Sequence, residues 1–145
     1  MGAHQRGNVT PTRPASLTAR RARERLHRGQ LAELAAARFL ESRHCTVLLR
    51  NYRCRMGEID IVAREADGTL LIAEVRLRSR CDFGTPAESV TASKQARILR
   101  ASRHLLAVRP AFARCAIRFD VIEVQPAAEE SAYRLHWIRH AFECR

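Results

Sequence analysis

The segment 57–78 constrains the fold of this chain more than any other part of the sequence. It contains two runs rich in Val, Ile and Leu, at residues 58–64 and 69–78, with the sequence Ala-Asp-Gly at 66–68 between them. Runs of this kind predict β-strands, and a short turn containing Asp-Gly joins antiparallel strands in a hairpin. We therefore expect a β-hairpin within the fold.

Helices and further strands flank this hairpin. Before it, residues 22–43 show the apolar spacing of an amphipathic helix, and residues 46–53 resemble a strand. After it, residues 86–108 predict a second helix, and residues 115–124 and 133–138 return to strand character. The order is one helix, three strands, one helix and two strands. It predicts a single α/β domain with a mixed central sheet flanked by helices.

The N-terminal segment differs in composition from the rest of the chain. Its first 20 residues contain Pro, Gly, Ser, Thr and Arg but few large apolar residues, so ordering them would gain little buried surface. We expect residues 1–22 to be a basic, disordered tail and residues 23–145 to form the domain. A total of 145 residues is the size of one domain with its own core.

Charge narrows the choice of partner. The chain has 26 Lys and Arg against 15 Asp and Glu, which gives a net charge of +11. A field of that sign attracts polyanions, so the expected partner is nucleic acid. The charge does not separate DNA from RNA, and DNA is the first expectation. The alternative is that the charge only keeps the protein soluble.

The sequence says less about the cellular compartment and the oligomeric state of the protein than about its partner. No stretch approaches the ~18 to 20 apolar residues of a membrane-spanning helix, so no membrane partner is expected. The five cysteines are widely spaced and form no CxxC pair, which predicts reduced thiols in the cytoplasm rather than a zinc site or a redox dithiol. The sequence leaves a homodimer open.

Acidic residues in the predicted hairpin point to a site. Asp60 lies in the middle of its strand, on the face opposite Ile59 and Ile61, and on the next strand Glu74 shares a face with Arg76. Cross-strand neighbours lie ~5 Å apart at Cβ, so Asp60 and Glu74 can approach each other. Two close carboxylates repel unless a cation joins them, and Mg²⁺ prefers oxygen ligands of this kind.

A purely structural interpretation explains the same spacing. In that interpretation Asp60 forms an ion pair with an arginine such as Arg76 or Arg118, and no metal is involved. Spacing alone leaves both interpretations open.

An ordered set of short motifs adds information that spacing does not give. In chain order the motifs are Gly29-x-x-Ala32-Glu33, Arg50-Asn51-Tyr52-Arg53, Gly57-Glu58-Ile59-Asp60-Ile61, Glu74-Val75-Arg76, Phe83-Gly84, Val90 with Lys94, Arg118-Phe119-Asp120-Val121-Ile122 and Ala141-Phe142. By this set the chain resembles the YraN-like bacterial proteins over residues 28–142. That family is similar to the restriction-endonuclease-like PD-(D/E)xK nuclease superfamily and to archaeal Holliday-junction resolvases.

The resemblance implies a catalytic site. Glu33, Asp60 and Glu74 match the acidic metal-binding positions of the superfamily, and Arg76 stands where the superfamily usually has a lysine. The implied activity is phosphodiester hydrolysis with Mg²⁺ or Mn²⁺. Arginine stays charged at any accessible pH, so Arg76 can clamp a phosphate but cannot act as a base.

Lys94 and Gln95 lie on the predicted second helix, from which either side chain could reach the site. Lys94 could replace the missing lysine, or it could be an ordinary solvated lysine on a helix surface. The expected contacts to nucleic acid are Arg53, Arg55, Arg78, Lys94 and Gln95.

Three functions remain open at this level. The first is a metal-dependent endonuclease. The second is a non-catalytic DNA- or RNA-binding module that has lost turnover because Arg76 replaces lysine. The third is a small α/β protein whose acidic cluster is only structural and whose basic tail binds a protein partner.

Overall fold

A computed structural model describes residues 16–79, 90–130 and 132–144 of the protein. Its elements follow the predicted order. They are α1 (Leu17–Ser42), β1 (Thr46–Cys54), β2 (Gly57–Arg64), β3 (Leu70–Leu77), α2 (Ala92–Val108), a short 3₁₀ helix (Phe112–Arg114), β4 (Ile117–Pro126) and β5 (Tyr133–Phe142). The prediction of a mixed α/β domain is confirmed.

The sheet has five strands in the order β1-β2-β3-β4-β5. Neighbouring strands are antiparallel except β3 and β4, which are parallel and are connected through α2. The predicted β2–β3 hairpin is confirmed. In its turn, Asp67 Oδ1 accepts a hydrogen bond from Thr69 N at 2.8 Å, and Gly68 has φ +91°, which favours glycine.

The two helices cover opposite faces of the sheet. Ala36 and Leu40 of α1 pack in one apolar cluster with β2, β3 and β4. Ile98 and Leu105 of α2 pack in a second cluster on the other face. Because the sheet is buried on both faces, the sequences of β3 and β4 are almost continuously apolar.

The start of β2 departs from simple alternation. Ile59 and Ile61 were expected on one face, but Ile61 packs in the cluster on the α1 side and Ile59 in the cluster on the α2 side. The described β2–β3 pairing ends at Ile61 and Ala73, and beyond it the Asp60 side chain accepts a hydrogen bond from Val75 N. The prediction for Ile59 is therefore wrong, because β2 rotates where its regular pairing with β3 ends.

Helix α1 begins earlier than predicted. It starts at Leu17 instead of residue 22, and Ser16 Oγ caps it by accepting a hydrogen bond from Ala19 N at 3.3 Å. Residues 17–31 are mostly exposed, so they have no apolar stripe that would reveal a helix, although Ala and Arg are good helix formers. The part of the predicted tail at 1–15 lies outside the described residues.

Helix α2 begins later than predicted, at Ala92 instead of residue 86. Thr91 caps it, because its Oγ1 accepts a hydrogen bond from Lys94 N at 3.2 Å. Residues 80–89 lie outside the part of the chain that the structure describes, so the predicted turn of helix at 86–89 is not described.

Strands β4 and β5 form a long antiparallel pair with one irregularity, between Phe119 and Val121. His140, opposite this irregularity, has φ +50°, and β5 continues past it to Phe142, four residues beyond the predicted end at 138. A β-bulge of this kind interrupts the apolar alternation, which explains why the sequence pattern ended early.

Asp120 in β4 is completely buried and is fully hydrogen-bonded. Arg118 Nε and Nη2 donate to its carboxylate at 2.8 and 2.9 Å, Trp137 Nε1 donates at 2.8 Å and His140 N at 3.1 Å. The Arg118 guanidinium also donates to both carboxylate oxygens of Glu65 at 3.0 Å. This set of contacts, the Asp120 network, joins β4, β5 and the end of β2.

No helix within residues 16–79, 90–130 and 132–144 combines the length and the apolar character needed to span a membrane.

Candidate functional site

Asp60 of β2 and Glu74 of β3 lie beside each other at the end of the described β2–β3 pairing. Ile61 pairs with Ala73, and Asp60 and Glu74 are the next residues of their strands beyond this pair. Asp60 Oδ2 accepts a hydrogen bond from Val75 N at 2.8 Å, and Asp60 lies close enough to Glu74 to raise the pKa of that carboxyl. The two carboxylates that the sequence predicted to approach are therefore neighbours.

The Glu74 carboxyl is in an unusual environment for an acid. Its side chain is 5% exposed, and burial, reinforced by the negative charge of Asp60, raises its pKa to about 8. Within the described residues, its Oε2 atom is buried and has no hydrogen-bond partner. A buried carboxyl oxygen without a partner is costly, and a cation would relieve that cost.

Lys94 brings a positive charge from α2 to the acidic residues. Its Nζ lies 3.5 Å from Glu74 Oε1 and 3.6 Å from Glu58 Oε1, and its side chain is only 22% exposed. The alternative of an ordinary solvated lysine is therefore wrong. Lys94 is the only lysine in the chain.

Gly57 allows α2 to lie close enough for this contact. A Cβ atom at Gly57 would lie 2.8 Å from the Arg97 carbonyl oxygen of α2, and Gly57 has φ +151°. Both facts require glycine at the start of β2. The sequence motif that contains Asp60 thus also contains the residue that positions the helix carrying Lys94.

Glu33 approaches from α1. Its pKa is raised, first by burial and then by the negative charge of Asp60, while a side-chain hydrogen bond with Asn51 lowers it. Asn51 has φ +53°, a conformation that Asn tolerates better than most residues. Asn51 belongs to the motif at 50–53, but the sequence alone assigns it no role. The available signal is its amide side chain in a strand whose other residues are Thr, Val, Leu, Arg, Tyr and Cys.

Glu33, Glu58, Asp60, Glu74 and Lys94 together form what we call the acidic cluster. The described residues contain no group of three His, Cys, Asp or Glu side chains arranged to hold a metal ion. Asp60 and Glu74 suit Mg²⁺ as a pair, since Mg²⁺ in proteins is often bound through one or two carboxylates together with a phosphate and water. The role of Glu33 as a third metal ligand stays a prediction.

The arginines predicted at the site divide into two groups. Arg76 is half-buried on β3 and its positive charge lowers the pKa of Glu74, so it belongs with the acidic cluster. Arg53 and Arg55 are exposed near the β1–β2 turn, and Arg53 Nε lies 3.8 Å from Glu58 Oε2. No arginine of the described residues forms an ion pair with Asp60.

Two other predicted contacts are engaged within the protein. Arg78 Nε and Nη2 donate to Glu123 Oε1 at 3.0 and 2.8 Å across the parallel β3–β4 pair. Gln95 Nε2 donates to the Val90 carbonyl oxygen at 3.0 Å, just before α2. Both side chains have partners within the protein, and their contacts to nucleic acid stay predictions.

A polar cleft of about 470 Å³ opens beside Glu33, between α1 and β1. We call it the α1–β1 cleft. It is lined by Ala22, Arg25, Leu26, Gly29, Gln30, Glu33, Asn51 and Arg53. Since Glu33 lines the cleft and also belongs to the acidic cluster, the cleft leads to the cluster.

Sequence comparisons relate the chain to one protein family. A family model described as "Uncharacterised protein family UPF0102" matches residues 32–124, a range that contains the whole acidic cluster. A UPF0102 protein of Cupriavidus metallidurans is 42% identical over 133 residues, covering 92% of this chain and 88% of its own length.

Other bacteria have similar proteins. A UPF0102 protein of Nitrosomonas europaea is 44% identical over 117 residues, covering 81% of this chain and 94% of its own length. A UPF0102 protein of Desulforapulum autotrophicum is 44% identical over 115 residues, covering 79% and 92%. The identities extend over most of each chain, and the protein therefore belongs to the UPF0102 (YraN-like) family.

Proposed function

We propose that this protein is a nucleic-acid-binding phosphodiester hydrolase that uses Mg²⁺ or Mn²⁺ at Asp60 and Glu74. The observation that carries the proposal is the position of Lys94, whose Nζ lies 3.5 Å from Glu74 Oε1 in a largely buried setting. The chain thus has a lysine beside its paired carboxylates, although β3 itself carries Arg76 at the usual lysine position.

The pair of carboxylates fits a divalent cation. The Glu74 Oε2 atom, buried and without a partner in the described part of the chain, supplies a free oxygen ligand, and Asp60 supplies another. A bound Mg²⁺ would activate water and offset negative charge on the phosphate. It would also favour the ionised form of Glu74, which burial otherwise disfavours.

The chain's own cations then have distinct roles. The Lys94 ammonium, held by Glu58 and Glu74, can orient a water through its N–H donors or stabilise the departing oxygen. The Arg76 guanidinium cannot give up its proton, so it holds a phosphate oxygen. The net charge of +11 draws the polyanion to the protein, which we place in the cytoplasm with DNA as its first substrate.

A cleavage assay with matched charge changes tests this proposal. Purified protein is incubated with Mg²⁺ or Mn²⁺ and labelled junction, flap, single-stranded and duplex DNA, and with RNA. We expect Lys94→Ala to lower the cleavage rate at least about 100-fold. Arg100→Ala removes the same charge from an exposed position on α2 and should keep the rate within about threefold. Equal losses in both variants would contradict the role of Lys94.

A non-catalytic nucleic-acid-binding module is the second candidate. It is favoured by the contacts of Lys94 with both Glu58 and Glu74, because its ammonium offsets part of the negative charge of the cluster without a metal. This candidate predicts binding without cleavage, both in the wild type and in Arg76→Lys. Cleavage that appears only in Arg76→Lys would instead identify Arg76 as the residue that blocks turnover.

A further inference from the structure

The first half of α1 is a helix that the core does not require. The buried residues of α1 begin at Ala32, whereas Leu17 and Leu26 are 68% and 61% exposed. At 1.5 Å per residue, residues 17–31 extend roughly 22 Å. We call this part the α1 arm. Its arginines are Arg20, Arg21, Arg23, Arg25 and Arg28.

One face of the α1 arm forms a wall of the α1–β1 cleft. Ala22, Leu26, Gly29 and Glu33 follow one another at helical spacing and all line the cleft. The face therefore changes along the helix from small and apolar residues to the carboxylate that adjoins the acidic cluster. A ligand lying along this face would be directed toward Asp60 and Glu74.

The chemistry of the cleft suits a nucleotide with an unpaired base. Arg25 and Arg53 can contact phosphates, and the exposed Leu26 side chain offers an apolar surface to a base. A single strand presents phosphates and base faces together, whereas a duplex presents phosphates and hides its base faces in the stack.

Gly29 leaves open space beside α1, on the side that lines the α1–β1 cleft. Glycine is the poorest helix former after proline, yet Gly29 lies inside α1. A Cβ atom at this position would meet no described atom within 4 Å, so the packing of the described residues gives no steric reason for glycine. The missing side chain keeps the cleft open beside Leu26.

We propose that the α1–β1 cleft binds a single nucleic-acid strand and that unpaired strands, not intact duplexes, are the substrate of this protein. Arg25 and Arg53 hold the phosphates, the base lies against Leu26 and Gly29, and the strand continues past Glu33 to Asp60 and Glu74. The inference deepens the proposed function and rests on it, since the cleft leads to the same carboxylates.

Fluorescence anisotropy without divalent metal tests the strand preference separately from cleavage. The probes are labelled DNA and RNA strands of about 16 nucleotides and the blunt duplex of the same DNA sequence. We expect the single strands to bind about tenfold more tightly than the duplex. We expect Gly29→Leu, which fills the cleft, to weaken single-strand binding about tenfold and to change duplex binding less than about twofold.

Leu31→Phe is the matched control. It adds bulk to the α1 arm two residues later, at an exposed position outside the cleft lining, and single-strand binding should stay within about twofold of wild type. Leu26→Ser is a second test at a side chain too exposed to be needed for folding, and it should weaken single-strand binding by about threefold to tenfold.

The outcomes separate the two proposals. Duplex binding as tight as single-strand binding would overturn the inference, and so would unchanged single-strand binding in both Gly29→Leu and Leu26→Ser. If the strand preference holds and no metal supports cleavage, the hydrolase proposal fails while the binding site stands. Equal cleavage of duplex and single strand would support the hydrolase and overturn the strand preference.

Discussion

The acidic cluster and the Asp120 network both bury carboxylates beside positive side chains, yet they differ in how completely their polar atoms are paired. Asp120 is 0% exposed and receives hydrogen bonds from Arg118, Trp137 and the backbone of His140 at 2.8 to 3.1 Å. Glu74 is 5% exposed, has a longer contact of 3.5 Å with Lys94 and retains an oxygen without a described partner. The first arrangement is complete by itself, and the second leaves room for a ligand.

This difference indicates which buried carboxylate is available for chemistry. A fully hydrogen-bonded buried charge contributes to a single folded arrangement, whereas a perturbed and partly unpaired acid in a cleft is typical of a functional site. The cationic partners of these carboxylates, Arg118 and Lys94, differ in the same way. The Arg118 guanidinium fits two carboxylates with paired hydrogen bonds, while the Lys94 ammonium lies between two carboxylates at 3.5 and 3.6 Å.

The comparison predicts a large difference in stability when each carboxylate is removed. Asp120→Ala leaves Trp137 and part of Arg118 without their buried acceptor, so the free energy of unfolding should fall by about 3 kcal/mol or more. Asp60→Ala loses the hydrogen bond from Val75 N but relieves repulsion with Glu74, so the loss should be about 1 kcal/mol or less. Urea denaturation of both variants measures the difference, and equal losses would contradict the comparison.

A second prediction concerns pH. The pKa of Glu74 is raised from 4.5 to about 8 in the folded protein, so the folded state binds this proton more tightly than the unfolded chain. The contribution to stability is complete below about pH 4.5 and is lost as pH rises through about 8. Between about pH 5 and pH 9, wild type should therefore lose at least about 1 kcal/mol relative to Glu74→Gln.

Adding Mg²⁺ to the same stability measurement gives a second test of Glu74. At about pH 9 the ion should restore stability to the wild type but not to Glu74→Gln, because only the wild type has the ionised ligand. Denaturation curves at each pH, with and without the ion, measure both effects. A pH dependence that is identical in the two proteins would show that Glu74 does not titrate as described.

A third, smaller effect separates the exposed arginines of the α1–β1 cleft from Arg78, which lies mostly buried in an ion pair. Arg25→Ala and Arg53→Ala should each reduce the slope of log binding constant against log salt concentration by about one, because each removes a phosphate contact. Arg78→Ala should leave the slope unchanged, because Arg78 is already paired with Glu123. Anisotropy titrations over a range of salt concentrations compare the three variants, and a slope that changes only in Arg78→Ala would reverse this assignment.

The smallest expected effect is a change in the free energy of unfolding at Gly29, which lines the cleft beside the acidic cluster. Gly29→Ala should raise the free energy of unfolding by about 0.5 to 1 kcal/mol, since alanine favours the helix and its Cβ meets no described atom. Thermal melting of the variant measures the gain. A loss of stability would mean that Gly29 is required by packing, and it would remove one support for an open cleft.

Local patterns explain what could be predicted from the sequence. The β2–β3 hairpin and the approach of Asp60 to Glu74 depend on alternation and on a short turn, and both are readable within about 20 residues. Exposed helix is harder to recognise, because residues 17–22 of α1 have no buried face. Ile59 was assigned to the wrong face, since the rotation of β2 depends on where its pairing with β3 ends.

Long-range packing explains what could not be predicted. The position of Lys94 depends on how α2 docks beside Gly57, and the pairing of Arg78 with Glu123 depends on the parallel register of β3 and β4. Neither arrangement leaves a periodic signal in the sequence. The same limit applies to Asn51, whose hydrogen bond with Glu33 joins β1 to α1.

Because Lys94 is the only lysine, the site carries a spectroscopic label of its own. Protein grown with ¹⁵N-lysine would give a single side-chain ammonium resonance, and that resonance would come from the group that contacts Glu58 and Glu74. Amine-directed reagents would likewise find one side-chain amine, shielded to 22% exposure. Occupancy of the cluster could therefore be followed on one atom, in the intact protein and without introducing a probe.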